Sequence, residues 1–397
     1  MPYPVHGRAT RVIVDPTAIA HNVATLRALV APADVWAVVK ADGYGHGDLT
    51  AAGAAVGAGA AGVCVALVGE GVRLRERGVV PVDVPILVLS EQPVDELLHL
   101  VRHGLDATVY TVEQVAALAS AAHASGVDAV RVHLKVDTGM GRVGVAPDDV
   151  AAICDAIDAV DVLRPAGLMS HLAVADEPGH EATEKQLTAF ARVAAEVTSR
   201  GGSWADVAMH VANSAASLTR PDARYDLVRP GIAVYGISPS AAVPASACGL
   251  RPALSWVSTV SFVKRVAAHT PLSYGWTHVC PADTTVVTVP VGYADGVPRD
   301  LAERSGEVLI AGQRCRIVGR VTMDQLLVDV GDLAVRVGDE VVLIGRRGAD
   351  EITVEEWAEW SDTIGYEVTC RIGGRVPRRE GDLGVHGGAV GGSASGS

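Results

Sequence analysis

Lys40 is the residue of this sequence that points most directly to chemistry. It ends a short apolar segment, residues 35–39, and leads into a glycine-rich turn, residues 43–47. The chain has only four lysines among its 33 basic residues, so a lysine in this place is not a routine surface charge. Burial of an ammonium is costly unless it is paired or its pKa falls. A neutral amine there can form a Schiff base with an aldehyde cofactor, whereas the alternative is a lysine that reaches solvent along its apolar stem.

Other polar residues follow apolar segments in the same way. Lys135, His171 and Asn213 stand at or just beyond the ends of predicted strands. In parallel barrels the carboxyl ends of the strands carry the active site, so these side chains and Lys40 are expected at one face. Each residue also has a simpler interpretation when it is considered alone. His171 fits a hydrogen-bonded core histidine, for example, and Arg229 fits a structural ion pair.

The first part of the chain alternates short apolar segments with amphipathic or alanine-rich segments. This alternation predicts parallel βα units, and seven or eight of them would close a (β/α)8 barrel. Helices are predicted over residues 111–125 and 180–199, among others. The predicted strands are residues 35–39, 62–66, 85–89, 106–110, 130–136, 165–170, 207–211 and 226–228.

The pattern changes near residues 239–250, which are rich in Ser, Pro and Ala. Beyond them strands dominate, and one helix is predicted over residues 353–364 with Thr353 as its N-cap. The predicted organisation is therefore a barrel domain (1–245), a mostly β-stranded C-terminal domain (246–380) and a disordered Gly/Ser-rich tail (381–397). The later strands are predicted at residues 255–266, 284–291, 306–310, 314–318, 325–330 and 340–344.

Composition predicts a cytoplasmic enzyme. The chain has 397 residues, 49% of them hydrophobic, which suits a large barrel with a second domain. A net charge of −13 argues against a nucleic-acid or anionic-membrane partner. The six cysteines are scattered without CxxC spacing, so neither a metal site nor disulfides are expected. No signal-like or membrane-spanning apolar run is present.

Residues 40–47 (Lys-Ala-Asp-Gly-Tyr-Gly-His-Gly) resemble the cofactor-anchoring motif of the bacterial alanine racemases. These are pyridoxal-phosphate enzymes with a TIM-type barrel and a C-terminal β domain. Eight further segments resemble the family in the same order, so the likeness is specific and covers roughly residues 10–380. These segments are residues 135–142, 169–171, 210–215, 228–232, 272–275, 291–296, 319–325 and 365–371.

The resemblance implies a dimer with two catalytic bases. Lys40 would hold pyridoxal 5'-phosphate and act on one face of the substrate, and Tyr274 of the partner subunit would act on the other face. Two bases are needed because racemisation removes a proton from one face of a planar centre and returns one to the opposite face. A tyrosine has an ordinary pKa of about 10 and needs its phenolate stabilised, a task that the resemblance gives to His171 and Arg229. Taken alone, without this context, Tyr274 would better fit a half-buried strand aromatic.

The family also implies the remaining site residues. Arg229 would face the pyridine nitrogen and, since it does not release its proton, would keep that nitrogen unprotonated. Arg142 and the Met323 backbone N–H would bind the substrate carboxylate. The family also implies that Lys135, near Arg142, can be modified by N6-carboxylation. Asp176, Tyr293 and Arg320 resemble the residues that narrow the access channel. The cofactor-binding set is Lys40, Tyr44, His171, Asn213, Ser214, Arg229, Gly231, Ile232 and Tyr366.

Three functions fit these observations. The first is a homodimeric alanine racemase that supplies D-alanine for peptidoglycan, with a serine-preferring or broad-specificity racemase as the nearest variant. The second is a single-barrel pyridoxal-phosphate carrier, which the strand-rich second half argues against. The third is a barrel decarboxylase of basic amino acids, which should have an acidic residue in the place of Arg229. The sequence favours the racemase.

Overall fold

The computed structural model describes residues 7–383. Its contacts divide the chain into two compact units. The barrel unit is Thr17–Pro252, and the β unit combines the described parts of Met1–Pro16 and Ala253–Ser397. These bounds differ from the predicted domains because the first strand, β1 (Arg11–Val14), pairs with Leu254–Thr259 in the β unit. Beyond residue 383, the predicted disordered tail lies outside the described residues.

Eight parallel strands form the barrel, and all eight predicted strands are confirmed with small shifts at their ends. They form because runs of Val, Ile and Leu, buried on both faces, suit parallel sheets covered by helices. The strands are β2 (Asp34–Val38), β3 (Gly62–Val65), β4 (Ile86–Val88), β5 (Ala107–Val109), β6 (Val130–Lys135), β7 (Leu163–Met169), β8 (Ala208–His210) and β9 (Leu227–Val228).

The barrel closes through two junctions between four-stranded sheets of order β4-β3-β2-β9 and β5-β6-β7-β8. At one junction, Leu87 pairs in parallel with Asp106, and the Val88 N–H donates to the Asp106 carbonyl at 3.0 Å. At the other, the Arg229 N–H donates to the Ala212 carbonyl at 3.0 Å. The fold is therefore the predicted (β/α)8 barrel.

Helices separate the barrel strands. Thr111 caps the predicted helix after β5, since its side chain accepts a hydrogen bond from the Gln114 N–H. His180 caps the long helix after β7 in the same way through the Ala182 N–H. The helices are α1 (Pro16–Val30), α2 (Asp48–Gly57), α3 (Val68–Glu76), α4 (Leu97–Arg102), α5 (Val112–Ser125), α6 (Val150–Asp158), α7 (Glu181–Ser199) and α8 (Ser214–Thr219).

The β unit is built on one large, mostly antiparallel sheet and a small hairpin. The sheet has the order β11-β14-β17-β16-β15-β18-β10-β1-β20, with β19 paired to β18, and the hairpin is β12-β13. Two helices, α9 (Val354–Trp360) and α10 (Gly365–Arg371), complete the unit. The strands are β10 (Leu254–Thr259), β11 (Phe262–Val266), β12 (Pro271–Leu272), β13 (His278–Val279), β14 (Thr284–Val289), β15 (Glu307–Ile310), β16 (Gln313–Val318), β17 (Leu326–Gly331), β18 (Glu340–Arg347), β19 (Asp350–Ile352) and β20 (Arg378–Glu380).

Two predicted elements of the β unit were wrong in extent. The single strand expected over residues 255–266 is two strands, because β10 pairs with β1 and β18 whereas β11 pairs with β14. The helix expected over residues 353–364 ends at Trp360, where Asp362 takes a left-handed φ of 52°. Its predicted N-cap is confirmed, since Thr353 Oγ1 accepts the Glu356 N–H at 3.0 Å.

Candidate active site

A left-handed turn at the carboxyl end of β2 sets the position of Lys40. Residues 41–44 all have φ between 53° and 61°, which L-residues other than glycine avoid at a cost of roughly 1–2 kcal/mol each. The Ala41 N–H donates to Glu70 Oε1 at 2.7 Å, and the Asp48 N–H donates to Asp42 Oδ1 at 3.0 Å. These bonds hold a strained backbone between the two predicted cofactor residues Lys40 and Tyr44, as is typical of functional sites.

Tyr44, Ser214 and Gly231 meet in the barrel unit. A Cβ on Gly231 would lie 2.2 Å from the Tyr44 hydroxyl, so only glycine allows this approach. Ser214 Oγ accepts the Gly231 N–H at 2.8 Å and the Ala233 N–H at 3.2 Å. The short 3-10 helix Ile232–Tyr235 starts directly after Gly231. This cluster presents a tyrosine hydroxyl, a serine hydroxyl and the start of a helical turn, which are groups that can bind an anion.

Arg229 follows β9 and is only 5% exposed. Its Nη1 donates to His210 Nδ1 at 2.6 Å and to the His210 carbonyl at 2.9 Å, and its Nη2 donates to the Ser170 carbonyl at 2.7 Å. Burial lowers the pKa of Arg229 to about 10, so the guanidinium stays charged near neutral pH. The hydrogen bonds fix the plane of the guanidinium.

Positive charge accumulates around Lys135 and His171. Burial, together with Arg229, Arg142 and Lys40, lowers the pKa of Lys135 to about 8. Burial and the same cations lower the pKa of His171 to about 3, so His171 is neutral. Lys135 Nζ donates to the Leu89 carbonyl at 3.0 Å, and this end of β6 therefore holds a buried lysine without a carboxylate in contact.

The electrostatic balance of this region favours an anionic ligand. Among residues 7–383, Lys135, Arg142 and Arg229 form no ion pair with a carboxylate, although 22 ion pairs occur elsewhere. Clustered cations that lack a directly paired carboxylate repel one another and are stabilised by a bound anion. The charges of Lys40, Arg142 and Arg229 act on both Lys135 and His171, and together these residues define one cationic site.

Two predicted barrel residues make structural contacts. Asn213 is the N-cap of α8, since its Oδ1 accepts the Ala216 N–H at 3.1 Å, and its Nδ2 donates to the Leu172 carbonyl at 3.3 Å. The Asp176 carbonyl accepts a hydrogen bond from Ser240 Oγ at 2.6 Å. Asn213 still lies directly beside Ser214, so its cap fixes the start of the helix that carries that hydroxyl.

Tyr274 lies in the β unit, on the loop between β12 and β13. Its side chain is 69% exposed, and Trp276 beside it is 71% exposed. The loop is strained, because Ser273 and Trp276 have φ of 60° and 50°. Ser273 Oγ donates to the Arg320 carbonyl at 2.6 Å, which ties the loop to the segment after β16. Two large aromatic side chains on this loop are thus exposed.

The other predicted residues of the β unit lie on neighbouring loops. The Tyr293 N–H donates to the Thr322 carbonyl, and the Ala294 N–H donates to the Met323 carbonyl, each at 3.0 Å. A Cβ on Gly275 would lie 3.0 Å from Arg320 Nη1, so the Tyr274 loop adjoins Arg320. Tyr366 lies on α10 and is half-buried. Tyr274, Tyr293, Arg320 and Met323 therefore belong to one group of adjoining loops.

Sequence reasoning missed several supporting residues. Glu70 accepts the N–H groups of Ala41, Ala66 and Leu67, and so braces the turn after Lys40. His133 and Asp106 continue the hydrogen bonds of Arg229 beyond His210. A histidine between the apolar residues Val132 and Leu134 was the available signal for His133, since a buried polar group needs a partner.

Two classes of feature do not occur in the part of the chain that the structure describes. Residues 7–383 contain no group of three or more His, Cys, Asp or Glu side chains suited to a metal ion. None of the described helices has the length and apolar character needed to cross a bilayer.

Comparison with known proteins identifies the family. Residues 14–239 match the model of the alanine racemase N-terminal domain, and residues 253–380 match that of the C-terminal domain. An alanine racemase of Thermobifida fusca is 44% identical over 368 residues, which is 92% of this chain and 96% of the relative. One of Symbiobacterium thermophilum is 45% identical over 372 residues, 94% and 97% of the two chains.

Solved structures agree with the sequence matches. The alanine racemase of Streptomyces coelicolor A3(2) superimposes with a TM-score of 0.89 at 41% identity, covering 94% of this chain and 98% of that one. The enzyme of E. faecalis gives a TM-score of 0.86 at 37% identity, covering 96% and 100%. The two domain models match the chain in order, and the solved alanine racemases share its fold. The chain therefore belongs to the alanine racemase family and is an amino-acid racemase, an isomerase.

Proposed function

We propose that the chain is a pyridoxal-phosphate-dependent racemase that interconverts L-alanine and D-alanine with two bases, Lys40 and the partner subunit's Tyr274. The observation that carries this proposal is the cationic site of the barrel. There burial, together with the charges of Arg229, Arg142, Lys135 and Lys40, lowers the pKa of His171 to about 3 and keeps it neutral. Two anions, the cofactor phosphate and the substrate carboxylate, would balance those charges.

The residues of the barrel fit pyridoxal 5'-phosphate. Gly231 leaves room beside the Tyr44 hydroxyl that a Cβ would fill, and Ser214 Oγ already accepts the Gly231 N–H. The proposed phosphate ligands are Tyr44, Ser214, Gly231, Ile232 and Tyr366, with Asn213 holding the start of α8. When bound, the cofactor supplies an electron sink that makes the substrate α-proton removable.

Arg229 has a second role beyond binding. Its charge persists at neutral pH, and its plane is fixed by His210 and the Ser170 carbonyl. A guanidinium offers only N–H donors, so it would donate a hydrogen bond to the cofactor ring nitrogen and would keep that nitrogen unprotonated. This favours return of a proton to the α-carbon over side reactions.

Proton movement is assigned to two residues on opposite faces. Lys40 takes or returns the α-proton on one face, and Tyr274 does so on the other. Tyr274 is well suited to act on a second subunit, because its side chain is 69% exposed on a loop anchored by the bond from Ser273 Oγ to the Arg320 carbonyl. His171 and Arg229 stabilise its phenolate once the partner subunit's Tyr274 is in place. We therefore propose a homodimer with active sites shared between subunits.

Arg142 and the Met323 N–H are proposed to bind the substrate carboxylate. Arg142 can bind it with two parallel hydrogen bonds. Lys135 has a pKa of about 8, and the resulting neutral amine fraction suits N6-carboxylation, which would place an anion beside Arg142. Asp176, Tyr293 and Arg320 are proposed to narrow the channel and so favour a methyl side chain.

The proposed role is cytoplasmic supply of D-alanine for peptidoglycan, without a nucleic-acid or membrane partner. A serine-preferring or broad-specificity racemase remains the second candidate. Chiral chromatography of L-alanine and L-serine, each incubated with purified protein and pyridoxal phosphate, tests the proposal. We expect alanine to approach an equal mixture of enantiomers while serine reacts much more slowly. Fast conversion of serine would favour the second candidate, and no conversion of either would refute both.

A further inference from the structure

Four hydrogen-bonded side chains form a row through the interior of the barrel. Arg229 Nη1 lies 2.6 Å from His210 Nδ1, and His210 Nε2 lies 2.9 Å from His133 Nδ1. His133 Nε2 lies 3.3 Å from Asp106 Oδ2. All four residues are at most 5% exposed. This row, the histidine relay, consists of Arg229, His210, His133 and Asp106.

The chemistry of its two ends allows one arrangement of protons. Arg229 is a donor only, so His210 Nδ1 must accept. Burial and the Arg229 charge lower the pKa of His210 well below its ordinary range, so His210 is neutral and carries its proton on Nε2. His133 Nδ1 therefore accepts from His210, which leaves His133 Nε2 to donate to the Asp106 carboxylate. Every donor in the row points toward Asp106.

The surrounding barrel is shaped around the two imidazole rings. A Cβ on Gly167 would lie 2.2 Å from His133 Nδ1 and 2.9 Å from His210 Nε2, so a side chain there would obstruct their hydrogen bond. The Trp36 ring packs on both histidines, with centroid distances of 5.7 Å to His133 and 6.5 Å to His210. A Cβ on Gly62 would in turn lie 2.6 Å from the Trp36 ring.

The outer end of the relay carries a charge pair. Asp106 Oδ2 accepts a hydrogen bond from Arg131 Nε at 3.0 Å, and the Arg131 side chain is 53% exposed. At the inner end, Arg229 contacts no carboxylate within residues 7–383, and its partners there are His210 and a carbonyl of Ser170. A buried guanidinium without an adjacent counter-ion is costly. The relay connects it to the Asp106 carboxylate.

We propose that His133 and Asp106 are positioning residues, which hold His210 in a single tautomer and so fix the orientation and charge of Arg229 at the cofactor ring. The effect on catalysis rests on the proposed function, whereas the proton arrangement does not. Asp106 polarises His133, and His133 polarises His210, so His210 Nδ1 becomes a stronger acceptor for Arg229. The arrangement is comparable to an orienting carboxylate that acts on a histidine in other active sites.

The first test observes the tautomers directly. Nitrogen-15 NMR of histidine-labelled protein, with and without pyridoxal phosphate, distinguishes protonated from bare ring nitrogens. We expect His133 and His210 both to carry the proton on Nε2 in either form. A proton on Nδ1 of either ring would overturn the proposal. If alanine is not racemised but both tautomers are as expected, the proposed function fails while the relay stands.

The second test removes the charge of Asp106 while keeping an acceptor. In Asp106→Asn, the amide oxygen can still accept from His133, so the fold should persist. We expect kcat for alanine to fall roughly tenfold, the usual order for loss of an outer hydrogen-bond partner, with KM nearly unchanged. We also expect the His210 ring resonances to shift, although Asp106 does not touch His210. Asp106→Glu should restore part of kcat.

A matched control separates this effect from general destabilisation. Asp148→Asn makes the same change at an exposed carboxylate whose Oδ1 accepts a hydrogen bond from Arg192 Nη2 at 2.9 Å, outside the relay. It should leave kcat and the His210 resonances unchanged. Unchanged His210 resonances in Asp106→Asn, or a kcat equal to that of the Asp148→Asn control, would refute the role of Asp106.

Discussion

His133 Nδ1 and His210 Nε2 are 2.9 Å apart, across the position where Gly167 has no side chain. The two histidines come from β6 and β8, and β7 runs between them. Their hydrogen bond passes over the middle strand only because that strand has a glycine there. The missing side chain on β7 thus allows the histidines of β6 and β8 to form a hydrogen bond.

Gly167→Ala should therefore destabilise the protein. Its Cβ would lie 2.2 Å from a buried ring nitrogen, and overpacking of a core typically costs about 1–3 kcal/mol. Urea unfolding of both proteins measures the difference in the free energy of unfolding. Gly53→Ala is the control, because a Cβ there meets only Val79 at an ordinary 3.5 Å within α2. That variant should be slightly more stable than the wild type, by ~0.5–1 kcal/mol. Equal effects of the two changes would argue against a tight site at Gly167.

Lys40→Ala should remove the visible absorbance of bound pyridoxal phosphate and abolish racemisation, since the amine that anchors the cofactor would be missing. Absorbance spectra after gel filtration of the protein with added cofactor provide the measurement. Lys185→Ala is the control, because that lysine is 70% exposed and only pairs with Glu181 on the surface of α7. The anchor assignment is wrong if Lys40→Ala keeps full activity.

Tyr274→Phe should slow exchange of the α-proton from one enantiomer of alanine far more than from the other. The expected loss is on the order of 100-fold, the lower range for a missing general base. Deuterium incorporation from each enantiomer, followed by NMR, gives both rates. Trp276→Phe alters the same loop, so any loss that it causes should be equal for the two enantiomers. Equal losses in Tyr274→Phe as well would contradict a two-base mechanism.

Mixing Lys40→Ala with Tyr274→Phe subunits tests whether each active site is shared between two subunits. If Tyr274 acts on the partner subunit, one site of each mixed dimer combines an intact Lys40 with an intact Tyr274. Activity should then recover after subunit exchange, which native mass spectrometry can verify. Exchange without recovery would indicate that both bases belong to one chain.

The buried Lys135 should make stability depend on pH in a defined direction. Its pKa is about 8 in the folded protein against an ordinary value of 10.5, so the folded state binds its proton less tightly than the unfolded chain does. This difference lowers the free energy of unfolding. The decrease is fully present below pH 8 and disappears as the pH rises toward 10.5. This shift corresponds to about 3 kcal/mol near pH 7.

Lys135→Met should therefore stabilise the cofactor-free protein near pH 7. The expected net gain is about 2 kcal/mol, because the lost hydrogen bond to the Leu89 carbonyl offsets part of the gain from removing the buried charge. The advantage should shrink at higher pH. Urea unfolding of both proteins at two pH values, in buffer free of carbon dioxide, measures it. A stability difference that does not change with pH would contradict a lowered pKa. Adding bicarbonate should stabilise only the wild type if Lys135 becomes carboxylated.

The sequence by itself determined the barrel and most of the proposed site. The eight strands follow from apolar runs that must be buried, whereas the chemistry predicted for Lys40 and Arg229 is what the family resemblance of their motifs implies. The roles assigned to them remain proposals. The strand predictions are confirmed because each depends on local pattern.

Tertiary structure decided what depends on distant segments. The strand β1 belongs to the β unit only because it pairs with β10, about 240 residues later in the chain. The relay requires β5, β6, β8 and the segment after β9 to bring Asp106, His133, His210 and Arg229 into contact. Hydrogen-bond direction and pKa values arise from such contacts and from burial, which a linear sequence does not specify.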